Sequence, residues 1–219
     1  EALDEVLDHK YEFQNGVGLK ISMSFMDEGG HFTQQVRARC AARWEKKLFC
    51  IKGIYGSDKP YTAPPKKQRI TIEGSYYGEA WQYQIGVDSG KQLIFDNIKV
   101  QVPGTNYCHF PLRDDYGAAY FKGLLSETLT YDETKKNPWV WKKIPGHERN
   151  ERLDCRNYAL AAFAALTVNL DEREKRIREM GQKLNEPKKP AIEPKVKTAE
   201  RVKPKPARRK GIAQHYDDW

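Results

Sequence analysis

The spacing of apolar positions changes several times along the first 170 residues, and each change predicts an element. Residues 19–26 (LKISMSFM) alternate apolar and polar side chains, which predicts a strand ending at Asp27. Asp27-Glu28-Gly29-Gly30 then reads as a turn, and Thr33 as the N-cap of a helix through Val36, Cys40 and Trp44. LFCIKG (48–53) reads as a short buried strand, and ITIEG and AWQYQIGV as an antiparallel pair. Ser89 is placed to cap a helix carrying Lys91, Leu93, Ile94 and Ile98. A helix is predicted over 114–127, and a hairpin from 128–131 and 139–142. The clearest helix is RNERLDCRNYALAAFAAL (149–166), whose alanines suit close packing against a sheet; LDEREKRIREMGQKL (170–184) continues it as a charged, solvated helical extension. EALDEVLDHKYEF at the start reads as a helix before the first strand. The fold class is therefore mixed α/β.

Composition adds a polyanion to the picture. Lys and Arg number 38 against 30 Asp and Glu, a formal net charge of +8 with a pI of about 9.2. Mean hydropathy is −0.82, and no run approaches the roughly 18 apolar residues that cross a membrane. The four cysteines, Cys40, Cys50, Cys108 and Cys155, are widely spaced with no C-x-x-C pair, which predicts buried free thiols in a reducing compartment. Residues 186–219 hold ten Lys or Arg, five acids and five prolines, too few apolar groups to fold, and are expected to be a disordered basic tail. Its end, HYDDW, reads as a solvated terminus or as a short docking motif anchored by Tyr216 and Trp219.

Two acids stand out. Asp27 lies where a strand gives way to a glycine turn, and Asp154 lies in the first turns of an apolar helix, with Glu151 three residues before it on the same face. Carboxylates from a strand end and a nearby helix can grip a hard cation such as Mg²⁺ and leave room for water and phosphate. The plainer reading makes Asp27 a turn former and Glu151 and Asp154 favourable charge at a helix N-terminus. No G-x-x-x-x-G-K-[ST] phosphate loop is present, nor a Ser-His-Asp or Cys-His arrangement.

MDEGGHFTQQV, LFCIKG, YCHFPL, YFKGLLSE and HERNERLDCRNYALAA follow one another in this order. Together they resemble the nuclease domain of large terminase subunits of lambdoid tailed phages, over roughly residues 1–168. The resemblance implies a ribonuclease H-like mixed sheet flanked by helices, and a two-metal-ion DNA endonuclease that cuts concatemeric viral DNA for packaging. It implies Mg²⁺ or Mn²⁺ as cofactor, with Asp27 and Asp154 as catalytic metal ligands and Glu151 as a helper. Double-stranded DNA, a small terminase subunit and the capsid portal are the implied partners, in the host cytoplasm and away from membranes. In that family the first catalytic aspartate lies on an opening strand upstream of the segment matching residues 1–13. This chain is accordingly expected to lack one ligand and one strand, and to have an incomplete active site alone.

The remaining candidates carry two readings each. His31, after the Asp27 turn, touches DNA or braces the next helix. Lys91 and Lys52 meet phosphate or are solvated lysines. His109 is read as structural, and Trp139, Trp141, Tyr76, Tyr77 and Trp81 as packing residues before base-stacking ones. The organisation expected is a nuclease domain over 1–168, a helical extension over 169–185 and the basic tail over 186–219. A non-catalytic DNA-binding and portal-docking module is the competing function.

Overall fold

A computed structural model describes residues 1–147 and 149–186. The expected tail disorder and the docking residues Tyr216 and Trp219 lie outside the described residues. The central sheet is built from β3 (Ser24–Asp27), β4 (Leu48–Ile54), β5 (Lys66–Ile72) and β6 (Ser75–Gly86), in the spatial order β3-β4-β6-β5. β3, β4 and β6 run parallel, and β5 returns antiparallel beside β6. Two small hairpins flank it: β1 (Tyr11–Glu12) with β2 (Gly18–Leu19), and β7 (Glu127–Tyr131) with β8 (Trp139–Lys143). The expected α/β class with a mixed sheet between helices is what the chain forms.

Alternation along β3 and β4 assigns each residue to one of two faces. Met26, Leu48 and Cys50 point to α1 (Ala2–Asp8) and α2 (Thr33–Ala41), joining Leu7, Cys40, Ile70 and Ala80 in one core. Phe25, Ile51, Tyr83 and Ile85 point to the opposite face, where Ala161 and Tyr158 of α5 (Glu151–Leu166) cover them. A third core joins Ile94 of α3 (Val87–Ile98), Leu124 of α4 (Ala118–Leu124) and Leu153 of α5. The small side chain of Ala161 lets α5 lie close to the sheet.

α3 follows β6 without a loop and crosses α5 at a contact that only glycine permits. A Cβ at Gly90 would overlap Asn157 Oδ1 and the Tyr61 ring. Asn157 is wholly buried, and its Nδ2 donates to the Val87 carbonyl at 3.1 Å. Its Oδ1 has no conventional donor, and the Gly90 hydrogen that stands in place of a Cβ faces it, the geometry of a weak C–H···O contact.

Several expected elements end differently. The strand predicted over 19–26 shortens to four residues, because parallel pairing with β4 begins only at Ser24, while Gly18–Leu19 turns back onto Tyr11–Glu12. The helix predicted over 114–127 breaks into a short 3₁₀ turn (Asp114–Tyr116) and α4. Gly117 is extended between them, and Ser126 and Glu127 leave the helix for a sheet register in which Glu127 faces Lys143. Neither predicted capping side chain caps: Thr33 Oγ1 donates to the Glu28 carbonyl and Ser89 Oγ to the Lys59 carbonyl. The charged helix α6 (Leu170–Asn185) is mostly exposed, yet not wholly solvated. Gly181 is buried against Asn15 of the first hairpin, and Asn15 Nδ2 donates to the Ile177 carbonyl at 3.4 Å. Of the cysteines, Cys40 and Cys50 are buried as expected, but Cys108 is half-buried and Cys155 exposed. No described helix is long and apolar enough to cross a membrane.

Candidate metal and catalytic site

Parallel strands present their carboxyl ends at one edge of the sheet, and β3 leaves Asp27 exposed there. Asp27 is fixed from two sides. The Gly29 N–H donates to Oδ1 at 2.8 Å, and the Tyr158 hydroxyl donates to Oδ2 at 3.2 Å. Tyr158 stands one turn beyond Asp154 on α5, so one helix face brings both to the strand end. Burial, with the charges of Asp27 and Asp154, pushes the Tyr158 hydroxyl well above its usual range, which keeps it protonated as a donor.

Asp154 is half-buried, with its side chain 29% exposed. Asn150, at the N-cap of α5, does not cap the helix; its Nδ2 donates instead to Asp154 Oδ2 at 3.0 Å and to Glu127 Oε1 at 2.8 Å. Lys91 Nζ lies 2.6 Å from Glu127 Oε2 and 3.8 Å from Asp154 Oδ1. Burial raises the Asp154 pKa above the ordinary carboxylate value; repulsion from Glu127 and Asp27 adds to this, and Lys91 and Lys143 oppose it.

The site thus holds three carboxylates, one buried ammonium, one amide and one phenol. Among the described residues no group of three or more acids, histidines or cysteines is arranged around a single ion position. Glu127 holds Lys91 at 2.6 Å, and Asp154 shares the same ammonium at the longer distance of 3.8 Å.

The expected site residues divide. Asp27 and Asp154 lie near enough for the charge of one to act on the other. Glu151 is exposed on α5, three residues before Asp154, and lines the cleft between α4 and α5. Lys91 is only 5% exposed and committed to Glu127, so it has no free surface to offer a phosphate; its place is inside the acidic cluster. Lys52 is exposed, but alternation after Cys50 and Ile51 turns it to the α2 face, away from Asp27 and Asp154. His31 is exposed in the turn after β3, and its ring makes no hydrogen bond among the described residues. Sequence reasoning missed Glu127, Asn150 and Tyr158. Glu127 does end the quoted YFKGLLSE segment, the one signal that pointed to it.

The family described as terminase large subunit gpA, endonuclease domain, matches residues 1–177, most of the 219-residue chain. This chain belongs to that family. No curated protein matches it, and no solved structure does. The matched span takes in the whole terminase acidic cluster, from Asp27 through Lys91 and Glu127 to Asp154, and runs into α6. Membership of this family implies a nuclease role in DNA packaging.

Proposed function

We propose that this terminase domain is a divalent-cation-dependent DNA endonuclease in which Asp27 and Asp154 share a Mg²⁺ or Mn²⁺ ion and cut concatemeric viral DNA. The observation that supports it best is an exposed strand-end carboxylate and a half-buried helix carboxylate near enough for their charges to act on one another, with Tyr158, one turn beyond Asp154 on α5, donating to Asp27. The donors suit a hard cation: both are carboxylate oxygens, and no His or Cys is in hydrogen-bond contact with them among the described residues. In this reading the sheet is ribonuclease H-like, double-stranded DNA is the substrate, and the small terminase subunit and capsid portal are the assembly partners.

A bound Mg²⁺ or Mn²⁺ ion supplies Lewis-acid neutralisation of phosphate charge and a lower pKa for the attacking water. The protein groups do the positioning. The Gly29 N–H and Tyr158 hydroxyl orient Asp27, and Asn150 orients Asp154, the kind of outer support that sets carboxylate ligands. Lys91 favours the ionised form of Asp154, the form a cation needs. A two-ion centre needs a further acid, and Glu127 is tied to Lys91. In this two-metal-ion reading Asp27 and Asp154 are the ligands this chain would offer, and the resemblance to the terminase nucleases puts the further acid on a strand upstream of the segment matching residues 1–13.

Titration of the chain with Mn²⁺, followed by calorimetry, and nicking of plasmid DNA by the intact large subunit test this reading together. Metal binding and Mn²⁺-dependent nicking that stops in EDTA are expected. DNA binding without nicking would instead favour the non-catalytic packaging module.

The raised pKa of Asp154 gives a separate expectation for the metal-free protein. Its neutral form is the one the fold favours, so that stabilisation is complete below the unfolded-state carboxylate pKa and is lost as pH rises through the raised folded value. In EDTA, the parent Tm should decline across that window more than the Tm of Asp154→Asn. Parallel Tm curves for the two proteins would show that burial does not penalise the charge.

A further inference from the structure

A cleft of about 790 Å³ opens between α4 and the N-terminal turns of α5, on the side of α5 next to Asp154. Its walls carry Lys122, His147, Arg149 and Arg152, with Glu151 and Cys155 completing the α5 side. Lys122, Arg149 and Arg152 are exposed and form no ion pair among the described residues. Elsewhere on the domain, lysines and arginines such as Arg43, Lys46, Lys67 and Arg178 are matched to acids. Three unmatched cations and a histidine around one acid form a concentrated positive lining.

The cleft is built by close packing rather than by chance exposure. A Cβ at Gly123 would come within 2.9 Å of Arg152 Cγ, so the glycine lets the arginine stem lie against α4. The Arg152 guanidinium then sits 5.9 Å from the Tyr120 ring, and His147 Nδ1 lies 3.1 Å from the Lys122 carbonyl oxygen, tying the loop before α5 to α4. Residues 151, 154, 155 and 158 lie on adjacent rows of α5. The Glu151 and Cys155 wall of the cleft therefore lies beside the row of α5 that carries Asp154 and Tyr158.

We infer that this cleft holds the phosphate backbone of the DNA strand next to the phosphodiester that is cut, with Lys122, Arg149 and Arg152 as the phosphate contacts. Glu151 then serves as a like charge within a phosphate track rather than as a metal helper. This rests on the nuclease reading for what lies beside the cleft, but it is tested by binding alone.

Cys155 is an exposed thiol on the cleft wall and reports occupancy. The full chain, saturated with a short DNA duplex in EDTA as judged by fluorescence anisotropy, is alkylated with N-ethylmaleimide, and modification of Cys155 is followed by peptide mass spectrometry. DNA should slow alkylation of Cys155 severalfold. Lys122→Gln with Arg149→Gln should remove that protection, weaken binding about tenfold and reduce the slope of log affinity against log salt by about 2. Glu151→Gln should bind more tightly than the parent. Unchanged alkylation of Cys155 under saturating DNA, or protection, affinity and salt slope indifferent to the double substitution, would overturn the assignment. So would weaker binding by Glu151→Gln. If those results came while the intact subunit still nicked DNA in Mn²⁺, the cleft would be wrong and the nuclease reading would stand. Protection of Cys155 without any nicking would have the reverse meaning.

Discussion

Asp154→Asn or Asp27→Asn in the intact large subunit should lower Mn²⁺-dependent cleavage about a hundredfold or more, since losing a ligand removes several kcal/mol of transition-state stabilisation. The asparagine keeps the shape at both positions. At 27 it can still accept from the Gly29 N–H through its carbonyl oxygen, and at 154 it can still accept from Asn150. Circular dichroism and DNA affinity should therefore match the parent, and Asp154→Asn also removes a half-buried charge that burial disfavours. Mn²⁺ should raise the Tm of the parent and leave either variant unmoved, because a ligand that binds only the folded state stabilises it by mass action. Plasmid nicking at the parental rate by either variant would remove that residue from the site.

The second large effect belongs to Lys91 and is one of stability. Lys91 and Glu127 are each about 6% exposed in their side chains and 2.6 Å apart. Lys91→Met leaves Glu127 buried without its cation, and breaking such a pair from one side costs about 3–5 kcal/mol. Much of that loss is the penalty of the stranded charge, so Glu127→Gln added to Lys91→Met should recover a large part of it. Urea unfolding of the two single variants and the double variant measures the coupling. Strict additivity would mean that the buried pair is not what the Lys91 variant disrupts. Cleavage gives the other half of the result. The double variant should fold but cut poorly, because Asp154 has lost the cation that favours its ionised form, and Asn150 no longer bridges two carboxylates.

The two aspartates of the candidate site were legible because each breaks a local rule. Asp27 ends an apolar strand, and Asp154 interrupts an apolar helix, where packing gives a carboxylate no role. Lys91 and Glu127 break no such rule. They are 36 residues apart and meet only because β7 starts where α4 stops. On sequence grounds Glu127 looked like the last turn of a long helix, a place where acids are ordinary; strand pairing with β8 and a buried ammonium overrode that preference. Asn150 was hidden for the opposite reason. It is a favoured N-cap type at an N-cap position, but its amide is spent on two carboxylates instead of the helix. The parallel pairing of β3 with β4 follows from the helix-bearing crossover through α2, and β4 lies parallel to β6 because β5 makes an antiparallel hairpin with β6 between them, while the short β1–β2 hairpin and its contact with α6, 162 residues away, have no local signal.

The crossing of α3 and α5 at Gly90 acts as a filter on sequence drift. Lys91 follows Gly90, and Asp154 precedes Asn157 by one turn, so the spacing of the two backbones there sets how far the ammonium sits from the carboxylate. Any larger residue at 90 has to push the helices apart, and the acidic cluster would open with them. In a library randomised at this codon and sorted for cutting, glycine alone should survive. At Gly16 and Gly74, where φ is 79° and 81° and nothing lies within 4 Å of an added Cβ, asparagine should survive as well. Three glycines that look alike in the sequence would thus separate into one demanded by its neighbours and two demanded only by their own backbone.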